Sequence, residues 1–280
     1  MYPRPEGYTP PNERSLGRKG HYLNAVFVGV FSSAAAGAFA WLFAFGGADG
    51  ISESVSGIEL SSSPPWITVK SREQKVAESA VLTLADLSPG WTLAADDQDD
   101  DEDSAFELSE ECKSIEEQAA YPGVKASSQS EDMQGPDSQQ ISSEAAVFDD
   151  SDAAQRSLDT YRELYVRCGN DLVGAFNAGL QQAATKDGVP PEQIQIQTAL
   201  EDLGSANVGE SGIMFRLSGT VTGPGGSFQF AVDFIAFRVG RMDGGVTYMS
   251  IGGTRPEEER QLLQIAATKL QTANASLSER

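Results

Sequence analysis

The stretch FQFAVDFIAFRVGRMDGGVTYMSI, Phe228–Ile251, decides the fold. Its apolar residues recur at every second position. Phe228, Phe230, Val232 and Phe234 fall on one side of an extended chain, and Ile235, Phe237 and Val239 on the other. Successive side chains of a strand point to opposite faces, so this period is the signature of a sheet. The change of side near Phe234 has two readings: a bulge, or a strand covered on both faces. Arg241 to Gly245 reads as a hairpin turn and Val246–Ile251 as the returning strand. Upstream, Ile213, Phe215, Leu217 and Val221 alternate with polar positions, and Gly223-Pro224-Gly225-Gly226 turns the chain. Consecutive hairpin-linked strands make an antiparallel meander.

Helical spacing surrounds this meander. Downstream, Thr254 with Glu257 reads as a capping box and Pro256 suits a first turn. Leu262, Leu263, Ala266 and Leu270 then make the apolar face of a closing helix. Upstream, Ile194–Leu200 reads as a strand after Val189-Pro190-Pro191. Asp149, Asp150, Ser151 and Asp152 supply a cap and first-turn charge for a helix whose inner face is Ala154, Leu158, Tyr161, Tyr165 and Cys168. Asn170 or Asp171 is expected to cap a separate helix with Val173, Phe176 and Leu180 inward. Val124–Ser130 and Ile141–Phe148 read as strands, and Glu107–Gln118 as an acidic helix carrying Cys112. A first helix is expected from Ser71, capped with Gln74, along the stripe Val76, Ala80, Leu84 and Leu87. Ser88-Pro89-Gly90 ends it, and Trp91 then packs down on the turn. The fold class is α+β: an antiparallel sheet packed with helices.

The N-terminal region reads differently. Leu23 to Ala48 carries no charge, and a bilayer-spanning helix needs roughly 20 mostly apolar residues. The segment 22–48 is expected to be a single transmembrane helix, because secretory signal cores are shorter; cleavage after Ala48 is the rival reading. Arg14, Arg18 and Lys19 precede it, and Asp49, Glu53 and Glu59 follow. Basic residues stay in the cytoplasm, so residues 1–21 form a basic cytoplasmic tail and the C-terminal part lies outside the cell membrane. A Ser-, Gly- and Pro-rich linker, 49–70, leads to an extracytoplasmic domain, 71–280. Gly29, Ser33 and Gly37 line one stripe of the membrane helix, where a partner helix has room to approach; small residues are also simply common in such helices.

Composition narrows the function. The formal net charge is −21 at pH 7, which repels nucleic acid and anionic headgroups. The single histidine is His21, beside the membrane segment, so the outer domain holds no Ser-His-Asp or Cys-His arrangement and no His-containing zinc site. No carboxylate pair is singled out by spacing, no cofactor is expected, and an enzyme is not the reading. The run Asp96 to Asp103 is acidic enough to raise a calcium site, but it lacks the alternating spacing and central glycine of an EF-hand. A solvated loop is the expectation. The two cysteines, Cys112 and Cys168, read as one disulfide if the domain is exported; two buried thiols are the alternative.

Three stretches together resemble a known family: Leu84-Ala85-Asp86-Leu87-Ser88-Pro89-Gly90-Trp91, then Ala146-Val147-Phe148-Asp149 through Leu158 to Cys168, then Phe237-Arg238-Val239-Gly240-Arg241 on to Ile251-Gly252-Gly253-Thr254. They are similar to the extracytoplasmic sensor domain of PknH-type mycobacterial kinases and to related bacterial envelope lipoproteins, over most of Ser71–Leu270. The resemblance implies an antiparallel sheet with helices, a disulfide and a cleft for an unidentified ligand. These residues hold no kinase domain, so direct signalling by phosphorylation is not expected. The family brings no catalytic residues to carry over. The expectation is a non-catalytic, sensor-like module for a small apolar or amphipathic ligand, contacted by Trp91, Arg216, Phe228, Phe230, Asp233 and Tyr248. The competing expectation for those aromatics is plain core. A structural or accessory subunit of an envelope complex is the alternative function.

Overall fold

A computed structural model describes residues 70–94, 109–119, 123–186 and 189–278. The basic tail, the segment 22–48 with Gly29, Ser33 and Gly37, the linker up to residue 69 and the acid run Asp96–Asp103 lie outside the described residues. Among the described residues no helix is long and apolar enough to cross a membrane.

Among the described residues the alternating segments form eight strands: β1 (Thr92–Leu93), β2 (Val124–Gln129), β3 (Met133–Gln134), β4 (Gln140–Phe148), β5 (Gln195–Gly204), β6 (Ser211–Gly223), β7 (Gly226–Val239) and β8 (Met242–Ile251). All pair antiparallel in one sheet of order β1-β3-β4-β8-β7-β6-β5, and β2 joins the edge of β4 that β3 also uses. Among the described residues four helices accompany them: α1 (Arg72–Ala80), α2 (Glu110–Ala119), α3 (Ser151–Lys186) and α4 (Pro256–Ser278). The α+β expectation holds, and the expected meander is the run β6 to β8, which β5 extends by one antiparallel strand.

The double alternation of β7 now has its reason. Its register with β6 and with β8 is unbroken from end to end, so there is no bulge near Phe234. The strand is instead covered on both faces. Ile235 and Phe237 pack with Val76, Ala77, Val246, Leu262, Leu263 and Leu270 beneath α1 and α4. Phe230, Val232 and Phe234 pack with Phe215, Leu158, Tyr165 and Phe176 beneath α3. Each such side chain, when fully buried, contributes roughly 1.5–3 kcal/mol.

Four local expectations are corrected. The first helix ends at Ala80 instead of running to Leu87. Leu82 is only 1% exposed and donates its N–H to Ser143 Oγ at 2.7 Å. Thr83 N and Oγ1 both bond Asp86 Oδ2 at 2.8 Å, closing a short 3₁₀ turn over Leu84–Asp86. A local side-chain cap competes with helix propagation here and wins. Second, no break follows Cys168: α3 is continuous for 36 residues. Asp171 caps another element, accepting the N–H of Ser109 at 3.1 Å just before α2. Gly169 permits the close passage of β5, since a Cβ there would sit 3.0 Å from Leu200 Cδ2. Third, the β7–β8 turn is Gly240-Arg241, between the paired Val239 and Met242. Gly240 supplies the positive φ of 59° that a two-residue turn with glycine first requires. Gly244 and Gly245 lie inside β8. Fourth, Pro256 is the first residue of α4, so Arg255 stands at the cap position rather than Thr254, and its carbonyl accepts the N–H of Glu259 at 3.0 Å.

Cys112 on α2 and Cys168 on α3 form a disulfide, with Cα atoms 5.8 Å apart. Both are buried. The bridge fastens α2 to α3.

Candidate functional site

Two-sided burial has a consequence for charge. A carboxylate placed on either face of β4, β7 or β8 has little water to meet, and an enclosed charge needs a partner or a proton. Such carboxylates occur on both faces.

On the face beneath α4, Arg216 of β6 lies opposite Asp233 of β7 in the sheet register. The guanidinium grips that carboxylate with two bonds, Nε to Oδ1 at 2.5 Å and Nη2 to Oδ2 at 2.8 Å. The same Nη2 reaches Glu259 Oε2 at 3.3 Å, from the first turn of α4. Asp233 is 1% exposed and Glu259 4%. Burial, and then the neighbouring Asp233, pushes the Glu259 carboxyl up to about 7, although Arg216 pulls the other way. Asp233 also lies opposite Tyr248 of β8. The Tyr248 hydroxyl donates to Glu258 Oε2 at 2.9 Å, which also receives Gln139 Nε2 at 3.2 Å. Gln139 sits in the connection between β3 and β4, where its Oε1 accepts the N–H of Asp137 at 3.0 Å. Arg255 pairs with Asp137 at 2.9 Å. Polar groups therefore tie the start of α4 to β6, to β8 and to the β3–β4 connection.

On the face beneath α3, Glu144 of β4 lies opposite Gly245 of β8, and Ser142 opposite Thr247. Gly245 is required here, because a Cβ would meet the Glu144 side chain. Glu144 Oε1, Asp243 Oδ1 and Thr247 Oγ1 are enclosed without a hydrogen-bond partner in the protein. Burial, and then Asp243, holds the Glu144 carboxyl well above the usual carboxylate range. Burial pushes Asp243 up to about 8, against a hydrogen bond from Ser157 and the attraction of Arg238. Arg238 itself is held by Gln155 of α3, Nε to Oε1 at 3.0 Å. A shallow dip in the surface beside Glu144, lined by Gln129, Ser142, Ser143, Gly245 and Thr247, has no room for a bound molecule.

The residues expected near a ligand divide between the layers. Arg216, Asp233 and Tyr248 come together beneath α4. Phe230 is 2% exposed in the core beneath α3, with Phe228 packed at its margin, so both lie across the sheet from that group. Trp91 is 8% exposed at the other end of the sheet and packs in the core beneath α1, its ring over Gly135. Glu259, Glu144, Asp243 and Thr247 were not among the expected residues. Glu259 carried a signal, since it lies three and four positions before Leu262 and Leu263, on the apolar stripe. Glu144 is the one charged residue of β4. Asp243 was hidden because its segment reads as a turn. Among the described residues, no three of His, Cys, Asp and Glu are arranged to hold a metal ion.

No family model matches the chain, and no curated protein matches it. The crystal structure of the extracellular domain of PknH from Mycobacterium tuberculosis aligns with 72% of this chain and 96% of that chain, at 11% identity and a TM-score of 0.37. A superposition that loose transfers neither detail of fold nor function.

Proposed function

We propose that the chain is a membrane-anchored, extracytoplasmic and non-catalytic domain of sensor type, held by the segment 22–48 with its N-terminus in the cytoplasm. The observation that carries this reading is the Cys112–Cys168 disulfide, buried between α2 and α3. Disulfides persist in oxidising compartments and are rare in the reducing cytosol. The charge asymmetry around residues 22–48 points the same way. Within this reading the ligand contacts belong to the polar group Arg216, Asp233 and Tyr248, since Phe230 is committed to packing.

The test is made in cells producing the full chain with alkaline phosphatase fused to its C-terminus, an enzyme active only outside the cytoplasm. Active fusion, together with cysteines that resist alkylation until a reductant is added, is the expected result. An inactive fusion with both thiols freely alkylated overturns the reading.

A further inference from the structure

Beneath α4, two buried carboxyl groups share one guanidinium. Asp233 takes both bonds of the Arg216 fork, and Glu259 has one longer contact to the same nitrogen. Arg216 Nη2 serves both carboxyl groups, 2.8 Å from Asp233 Oδ2 and 3.3 Å from Glu259 Oε2, and two enclosed like charges around one cation favour holding a proton between them. With that proton the group is neutral in sum: one cation, one anion and one acid. Without it the group holds two anions against one cation, in a place that is almost dry.

We propose that the Asp233–Glu259 pair is a proton-binding site and that release of its proton loosens the first turn of α4 from the sheet. This deepens, and rests on, the reading of the domain as an extracytoplasmic sensor, and it makes the proton the ligand. The charged and titratable groups that face Glu259 are Asp233 from β7, Arg216 from β6 and Tyr248 from β8. Glu258, Arg255 and Arg260 surround it on α4 and the residue before it, and Glu201 on β5 acts on Arg216 from beyond. Among the described residues Arg216 alone makes a direct ion pair with it, and that cation is already taken by Asp233.

The sign follows from where the proton is held more tightly. Glu259 binds it in the folded state up to about pH 7, whereas an exposed glutamate gives it up near 4.5. The closed turn is therefore favoured fully below the ordinary carboxylate range, and that preference is lost as pH rises to about 7. Movement of the turn has a route outward. Glu258, next in sequence, holds both Tyr248 and Gln139, so a displaced turn also releases the connection between β3 and β4.

The experiment is hydrogen exchange of the full chain in detergent at pH 5.5 and pH 8.0, corrected for the intrinsic rate. Protection of residues 256–263 is expected to fall at least about tenfold at the higher pH. In Glu259→Gln, whose amide stays neutral, it is expected to stay level. Flat protection in the unsubstituted chain, or an equal fall in Glu259→Gln, overturns the proposal. The carboxyl carbon resonance of Glu259 in the unsubstituted chain gives a second measurement that needs no variant. Titration near neutrality supports the site, and titration at or below 4.5 overturns it. An inactive phosphatase fusion with a titrating Glu259 would remove the location and leave the proton site. An exported domain with pH-independent α4 would remove the proton site alone.

Discussion

Removing the disulfide is the perturbation whose size is best worked from the structure. Cys112 and Cys168 are separated by 56 positions. Closing a loop of that length in the unfolded chain removes entropy equivalent to about 4 kcal/mol at room temperature in the chain-entropy model. Little else compensates on the native side. Contacts that also join α2 to α3 include the exposed ion pair of Arg167 with Glu111, the Ser109 N–H on Asp171, and buried Ile115. Exposed pairs of that kind contribute about 0–1 kcal/mol. The double variant Cys112→Ala/Cys168→Ala is therefore expected to lose about 4 kcal/mol, roughly a thousandfold in the unfolding equilibrium. The assay is equilibrium urea unfolding of the full chain in detergent, oxidised chain against variant, followed by far-ultraviolet circular dichroism. Hydrogen exchange should show α2 opening before the sheet in the variant, since its main packing is on α3. A loss below about 1 kcal/mol with unchanged slope would refute the loop-entropy reasoning for this chain.

Asp243→Asn tests the buried acid beneath α3. Asp243 is raised from 3.8 to about 8, so the folded state holds its proton more tightly than the unfolded state does. The stability it contributes is complete below the ordinary carboxylate range and is lost as pH rises to about 8. The variant should therefore show a flatter decline of melting temperature between pH 4 and 8; an unchanged decline would contradict the assignment. Gly245→Ala should destabilise by about 1–3 kcal/mol, because its Cβ meets Glu144. The same change made in a Glu144→Ala background should cost clearly less, as a double-mutant cycle in urea would show. Leu270→Ala empties a position 1% exposed between α4 and the sheet. A loss of about 2–5 kcal/mol is expected by thermal or chemical unfolding.

Some of this structure was legible in the chain because it is set by short-range pattern. Alternation over Phe228–Ile251 placed β7 and β8, and the glycine- and proline-rich segment at 223–226 placed the β6–β7 turn. Ser71 was recognisable as a cap and does accept the N–H of Gln74 at 3.0 Å. Asp150 likewise accepts from Ala153 at 2.8 Å. These features depend on a side chain and a backbone group a few positions apart, which sequence spacing records directly.

Boundaries and partners were decided elsewhere. The first helix stops at Ala80 because Leu82 enters a core supplied by β4 and α4, and α3 passes Gly169 because β5 lies against it. The candidate site shows the same division. Arg216 and Asp233 stood out as polar groups in an aromatic meander, and Tyr248 as one of its aromatics, but Glu259 joins them only because α4 lies across β6 and β7. Glu144 and Asp243 become neighbours through the pairing of β4 with β8, strands about a hundred positions apart in the chain. Sequence by itself determined which segments alternate, where charge flanks the apolar segment and that only two cysteines were present to pair. Tertiary structure decided which carboxylates lose their water, because burial depends on what the chain brings from a distance to cover them.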